Sequence, residues 1–110
     1  MKSKLAGKKC KACNPGTPAL KPAEIKKLLT EIPGWKNEKG EISKTYDFPN
    51  YHRTMEFVNV VAWIAHQQDH HPDMEVGYNR CKVRFSTHSV GGLSENDFIC
   101  AAKVESLFEV

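Results

Sequence analysis

Three of the five histidines fall in two short runs, Asp69-His70-His71-Pro72 and Ser86-Thr87-His88. Imidazole, with an ordinary pKa of about 6.5, is the side chain suited to giving and taking protons near neutrality. Rings converging from separate segments are hard to explain as packing, because each buried imidazole needs hydrogen-bond partners. Two chemistries suit such a cluster. In one, two imidazoles on opposite sides of a small ligand act as acid and base, each contributing roughly 10²–10⁴ in rate. In the other they hold a metal: His66-Gln-Gln-Asp-His70 sets two rings at i and i+4, with His88 as a third ligand. The HExxH pattern is not met, since Gln67 stands where its general-base glutamate belongs. There is no GxSxG, P-loop or GxGxxG, so serine-hydrolase, nucleotide and dinucleotide chemistry have no support.

The elements that must position these rings follow from hydrophobic period and punctuation. A first helix is expected from about Pro22 to Glu31, with Ile25, Leu28, Leu29 and Ile32 as its apolar stripe and Pro33-Gly34 as its stop. Trp35–Glu38, a Lys39-Gly40 turn and Glu41–Phe48 read as a β-hairpin; Ile42, Tyr46 and Phe48 share a face that Lys44 interrupts. Asn50 is an N-cap for a long helix to about Asp69, apolar on a broad face or on two. Pro72 is expected to end that helical stretch. A second hairpin then alternates Met74, Val76 and Tyr78 against Val83, Phe85 and Thr87. Ser94 and Asp97 form a capping box for a last helix, about Glu95–Leu107.

The order α-β-β-α-β-β-α implies an α+β fold, a two-layer sandwich with a four-stranded antiparallel sheet and helices on one face. A two-residue turn at Asn79-Arg80 would set His71 opposite His88, with His70 at the same end of the sheet and Asp97 nearby. Asn-Arg is a weak turn signal, and a slip of a residue or two would leave the cluster at that end.

Length and composition fit one soluble domain: 110 residues, with 40% hydrophobic and 26% charged. Residues 1–17 read as a flexible lysine-rich tail and 18–110 as the single folded domain. The tail has no apolar stretch behind its lysines, so it is not a secretory signal, and no run is long enough to span a membrane. A cytoplasmic protein is the default. The net charge of +3 comes largely from that tail, with no basic stripe interleaved with aromatics, so nucleic acid is not an expected partner. Cys10-Lys-Ala-Cys13 has the spacing of half a zinc site or of a redox pair but lacks a second CxxC. Cys81 and Cys100 read as small buried hydrophobes.

Taken together, His66, His70-His71-Pro72, Tyr78, His88 and Asp97 resemble the signature of the pterin-4a-carbinolamine dehydratase family. Ser86-Thr87-His88, Gly92-Leu93-Ser94, Asn96-Asp97 and Pro33-Gly34-Trp35 extend the likeness over roughly residues 20 to 108. The resemblance implies the α+β fold, homodimers or homotetramers, and no metal or organic cofactor, the pterin being the substrate. It implies dehydration of 4a-hydroxytetrahydropterin to quinonoid dihydropterin, which recycles the cofactor of aromatic amino acid hydroxylases. It further implies His70 and His88 as the acid/base pair, His71 as a catalytic support that positions substrate, and Asp97 as the group orienting an imidazole. Asp69, Ser86, Thr87 and Trp35 would line the pocket, the Ser-Thr strand largely through its backbone. His66 departs from the Glu of many members, and the Cys10/Cys13 tail is similar to an extension of some bacterial ones. Animal members also serve as dimerisation cofactors of a homeodomain transcription factor. A non-enzymatic binding role and a metal-binding histidine cluster are therefore the alternatives.

Overall fold

The computed structural model describes residues 4–12 and 16–108, so Cys13, and with it the CxxC reading, lies outside the described residues. Four strands, β1 (Lys36–Glu38), β2 (Glu41–Asp47), β3 (Asp73–Val76) and β4 (Arg80–Phe85), form one antiparallel sheet in the order β1-β2-β4-β3. Three helices, α1 (Pro22–Leu29), α2 (Tyr51–Gln68) and α3 (Glu95–Ser106), complete the expected α-β-β-α-β-β-α order. One sheet face carries the core: Ile42 and Tyr46 of β2 and Cys81, Val83 and Phe85 of β4 are buried with Phe57, Val61, Phe98 and Ile99 of the helices. No helix among the described residues is long and apolar enough to cross a membrane.

Local chemistry accounts for most boundaries. Lys39 and Gly40 both adopt positive φ, so the first hairpin closes with a two-residue turn between the paired Glu38 and Glu41. The Asn50 side chain caps α2 by accepting from the Arg53 N–H at 3.0 Å. Thr54, Phe57, Val61, Ile64 and Ala65 give α2 one buried stripe, while Val60 and Trp63, the latter 63% exposed, form a second apolar strip facing outward. Lys44 interrupts the apolar face of β2 because it reaches Glu105 of α3, Nζ to Oε1 2.6 Å. The same carboxylate accepts from Trp35 Nε1 at 3.1 Å and from the Tyr46 hydroxyl.

Four expectations are corrected. The first helix stops at Leu29, two residues early, where the Thr30 hydroxyl turns back onto the Lys27 carbonyl at 2.6 Å. α2 ends beside Asp69 as expected, but the stop is Asp69 itself and not Pro72: it takes a left-handed conformation (φ 51°), and the next N–H, of His70, bonds the Ala65 carbonyl at 3.1 Å. The second hairpin is shifted by two residues. Gly77 and Arg80 flank a Tyr78-Asn79 turn, Asp73 pairs with Arg84 and Val76 with Cys81. Tertiary contacts seat that turn, since the Asn79 carbonyl accepts from Phe48 N–H at 2.8 Å and the Thr54 hydroxyl lies 2.9 Å from the Tyr78 carbonyl.

The fourth correction concerns the N-terminal segment, of which residues 4–12 pack instead of hanging free. Lys4–Gly7 forms a 3₁₀ turn with Leu5 buried in the core, and Lys103 of α3 donates to the Ala6 carbonyl at 2.7 Å. The physical reason lies in α3. Its residues Asn96 to Ala102 are all buried, so it is covered on more than the sheet side, and a short apolar anchor supplies that cover.

Candidate active site

His70 is held by its neighbours more tightly than any other histidine. The turn at Asp69 folds it back so that its ring stacks on Phe85, with centroids 6.0 Å apart and planes 9° from parallel. Its Nε2 lies 2.6 Å from Oδ1 of Asp97, which is fully buried at the start of α3. Asp97 is itself fixed from three sides. Besides His70, its Oδ2 accepts from the Thr87 hydroxyl at 2.8 Å and from the Ser94 N–H at 2.9 Å, the latter being the capping-box bond read from the sequence. The Thr87 hydroxyl in turn contacts Ser94 Oγ at 2.8 Å.

Because a carboxylate only accepts, Nε2 of His70 is the donor and Nδ1 is left for other work. Burial alone would lower the pKa of His70. The hydrogen bond and charge of Asp97 outweigh it, with smaller contributions from Cys10 and Asp69, and the net shift is upward.

In front of this pair is a cavity of about 330 Å³, lined by Asp69, His70, His71, Pro72, Asp73, Arg84, Ser86, Thr87, His88 and Ser89. That volume is within the range of small-molecule sites. The three histidines do meet there, although not in the expected pairing: continuing the β3–β4 register sets His71 beside Ser86 and not His88. His88 begins a 3₁₀ turn, His88–Val90, that Gly91 closes in a left-handed conformation. It stands between this cavity and a second hollow of about 370 Å³, bordered by Lys39, Gly40, Glu41, Gly91 and Gly92, with Ser86, Thr87 and His88 common to both.

Two expected residues sit differently. Trp35 does not line the cavity. It is buried on the helix side of the sheet, its ring against Phe85 and Tyr46 and its N–H on Glu105, so it backs the strand that carries His70's stacking partner. Thr87 touches the cavity, but its backbone N–H is engaged by the Gly92 carbonyl at 2.8 Å and its hydroxyl by Asp97, so it holds the site and does not offer backbone donors. The i,i+4 pairing of His66 with His70 is broken by the left-handed turn at Asp69. Among the described residues no three His, Cys, Asp or Glu side chains gather as a metal would require.

Sequence reasoning missed Arg84 and Asp73. Arg84 lies on the outward face of β4, opposite Asp73, and its Nε is buried with no partner among the described residues. Period-two alternation on β4 points to it once the register is known, and the two-residue slip concealed that position.

Comparison with known proteins fits this geometry. The family model for pterin 4 alpha carbinolamine dehydratase matches residues 18–107. A relative from Nitrosomonas eutropha, provisionally named a pterin-4-alpha-carbinolamine dehydratase, is 57% identical over 104 residues, covering 94% of this chain and 92% of its own. A protein of the same provisional name from Nitrosospira multiformis is 53% identical over 106 residues, covering 96% and 94%. The crystal structure of a transcriptional coactivator/pterin dehydratase from Brucella melitensis superposes with a TM-score of 0.78 at 28% identity, over 81% of this chain and 97% of that one. With its histidine-lined cavity and its match along nearly the whole fold, the chain belongs to the pterin-4-alpha-carbinolamine dehydratase family.

Proposed function

We propose that the cavity dehydrates 4a-hydroxytetrahydropterin to quinonoid dihydropterin by histidine acid/base catalysis. The observation that carries this reading is the buried Asp97 hydrogen-bonded to His70, a residue that lines the same cavity as His71 and His88. Asp97 holds Nε2–H and favours the imidazolium, so Nδ1 of His70 is the base that takes the ring-nitrogen proton. His88 protonates the departing 4a-hydroxyl, which leaves as water. His71 positions the substrate, and Asp69, Ser86 and Arg84 shape the cavity around it. On this reading the pterin is the substrate and the reaction uses no metal or organic cofactor.

The same reading makes the protein a cytoplasmic partner of an aromatic amino acid hydroxylase, regenerating its oxidised pterin. The outward Val60–Trp63 strip of α2 supports assembly into a homodimer or homotetramer. The test is an assay of 4a-hydroxytetrahydropterin dehydration with wild type, His70→Ala and His88→Ala. Both variants should fold and lose most activity. Full activity in the double His70→Ala, His88→Ala variant would refute histidine catalysis. No turnover by the wild type, with the double variant still holding a partner, would leave only a binding role, and loss of activity with a chelator would favour a metal centre.

A further inference from the structure

Beyond the small charge effect of Cys10 on His70, Cys10 and Cys100 have no role in the acid/base chemistry above, yet they are set against each other. They are 90 positions apart in the chain and their Sγ atoms are 3.5 Å apart. A disulfide bond measures about 2.05 Å, so small side-chain rotations would close the gap. The N-terminal segment that brings Cys10 there is fastened on both sides of it. The Cys10 N–H donates to Gln68 Oε1 at 2.9 Å. Lys11 and Asn96 exchange a pair of bonds, Lys11 N–H to Oδ1 at 3.0 Å and Nδ2 to the Lys11 carbonyl at 2.6 Å. Leu5 anchors the segment further back in the core.

The two thiols are unequal. Cys100 is fully buried on α3, whereas Cys10 is partly open to solvent, so a reagent from solution meets Cys10 first. The hydrogen bond from Cys100 lowers the pKa of Cys10 despite burial, helped by the charges of His70 and Lys103. The same bond and burial push the Cys100 thiol up. Cys10 is thus the attacking thiolate and Cys100 the resolving thiol.

We propose that Cys10 and Cys100 form a thiol–disulfide exchange site that takes low-molecular-weight disulfides such as oxidised glutathione and closes to an intramolecular disulfide. The Cys10 thiolate attacks one sulfur of the small disulfide, breaking its S–S bond and releasing one thiolate. Cys100, losing its proton, then attacks the Cys10 sulfur of the mixed disulfide and expels the second small thiolate. The two protein thiols are oxidised by two electrons, the small disulfide is reduced to two thiols, and the two thiol protons end on them. The closed bond ties the N-terminal segment to α3 one turn beyond Asp97. In a reducing cytosol such a bond is transient, as suits a sensor of redox state.

The test uses the full chain in buffers of increasing oxidised-to-reduced glutathione ratio, quenched with acid, alkylated after unfolding and mapped by mass spectrometry. The expected product links Cys10 to Cys100, leaves Cys81 alkylated, and raises Tm by roughly 10 °C, reversibly with dithiothreitol. Cys13→Ser should form the same bond. Cys100→Ala in that background should stop at a glutathione adduct on Cys10, which separates exchange at Cys10 from any effect of Cys100 on folding. A Cys10–Cys13 disulfide as the main product would overturn the proposal, as would a Cys100 that remains open to alkylation throughout, in wild type and in Cys13→Ser alike.

Discussion

His70 and Asp97, 27 positions apart, meet at 2.6 Å because one sits just past the end of α2 and the other in the first turn of α3. The hydrogen bond fixes the imidazole through Nε2 and leaves its other nitrogen free of that bond, in a residue that lines the cavity. Asp97→Asn removes the negative charge and permits the wrong tautomer while keeping the shape. Dehydratase activity is expected to fall roughly 10²–10⁴-fold with circular dichroism unchanged. The His70 pKa, followed by NMR titration, should fall in the same variant.

The raised pKa of His70 also couples the pair to stability. A group with a folded-state pKa above its unfolded value stabilises most below the unfolded value, and that contribution is lost as pH rises through the folded one. The stability gap between wild type and His70→Gln should therefore be largest below about pH 6.5 and shrink on the alkaline side. Urea melts at a series of pH values measure it; a gap that widens with pH would refute the charged pair.

Glu105 behaves in the opposite sense. Burial would raise its pKa, but the bonds from Lys44, Tyr46 and Trp35 outweigh that and hold it below the usual carboxylate range. Its contribution is present above the unfolded pKa and is lost as pH falls through the folded one. Glu105→Gln is expected to cost about 2 kcal/mol at neutral pH and progressively less in acid, by denaturant melts. Trp35 fluorescence should change, because its N–H partner is altered.

Arg84 lines the cavity and has a buried Nε–H with no partner among the described residues. A substrate oxygen meeting it would relieve a penalty of about 1–3 kcal/mol. Arg84→Met should raise KM by roughly tenfold with kcat little changed, in steady-state kinetics.

Leu5 is 2% exposed and belongs to the core. Leu5→Ala should destabilise the fold by about 2–4 kcal/mol, whereas a free tail would tolerate the change. Chemical denaturation distinguishes the two.

The histidine cluster, the capping box of Ser94 and Asp97, the Lys39-Gly40 turn and the element order were all legible in the linear chain. Each depends on residue types a few positions apart, whose spacing acts through local backbone geometry. The long-range arrangement was not. The β3–β4 register was decided by Phe48 and Thr54, which seat the Tyr78-Asn79 turn from other elements and so bring Arg84 to the cavity. Trp35 went to Glu105, and the N-terminal segment docked because an α3 buried nearly all round needed cover that no local rule assigns. Sequence alone determined which chemical groups would lie at one end of the sheet. Tertiary structure decided which of them touch, because register and docking minimise the free energy of contacts between segments distant in the chain.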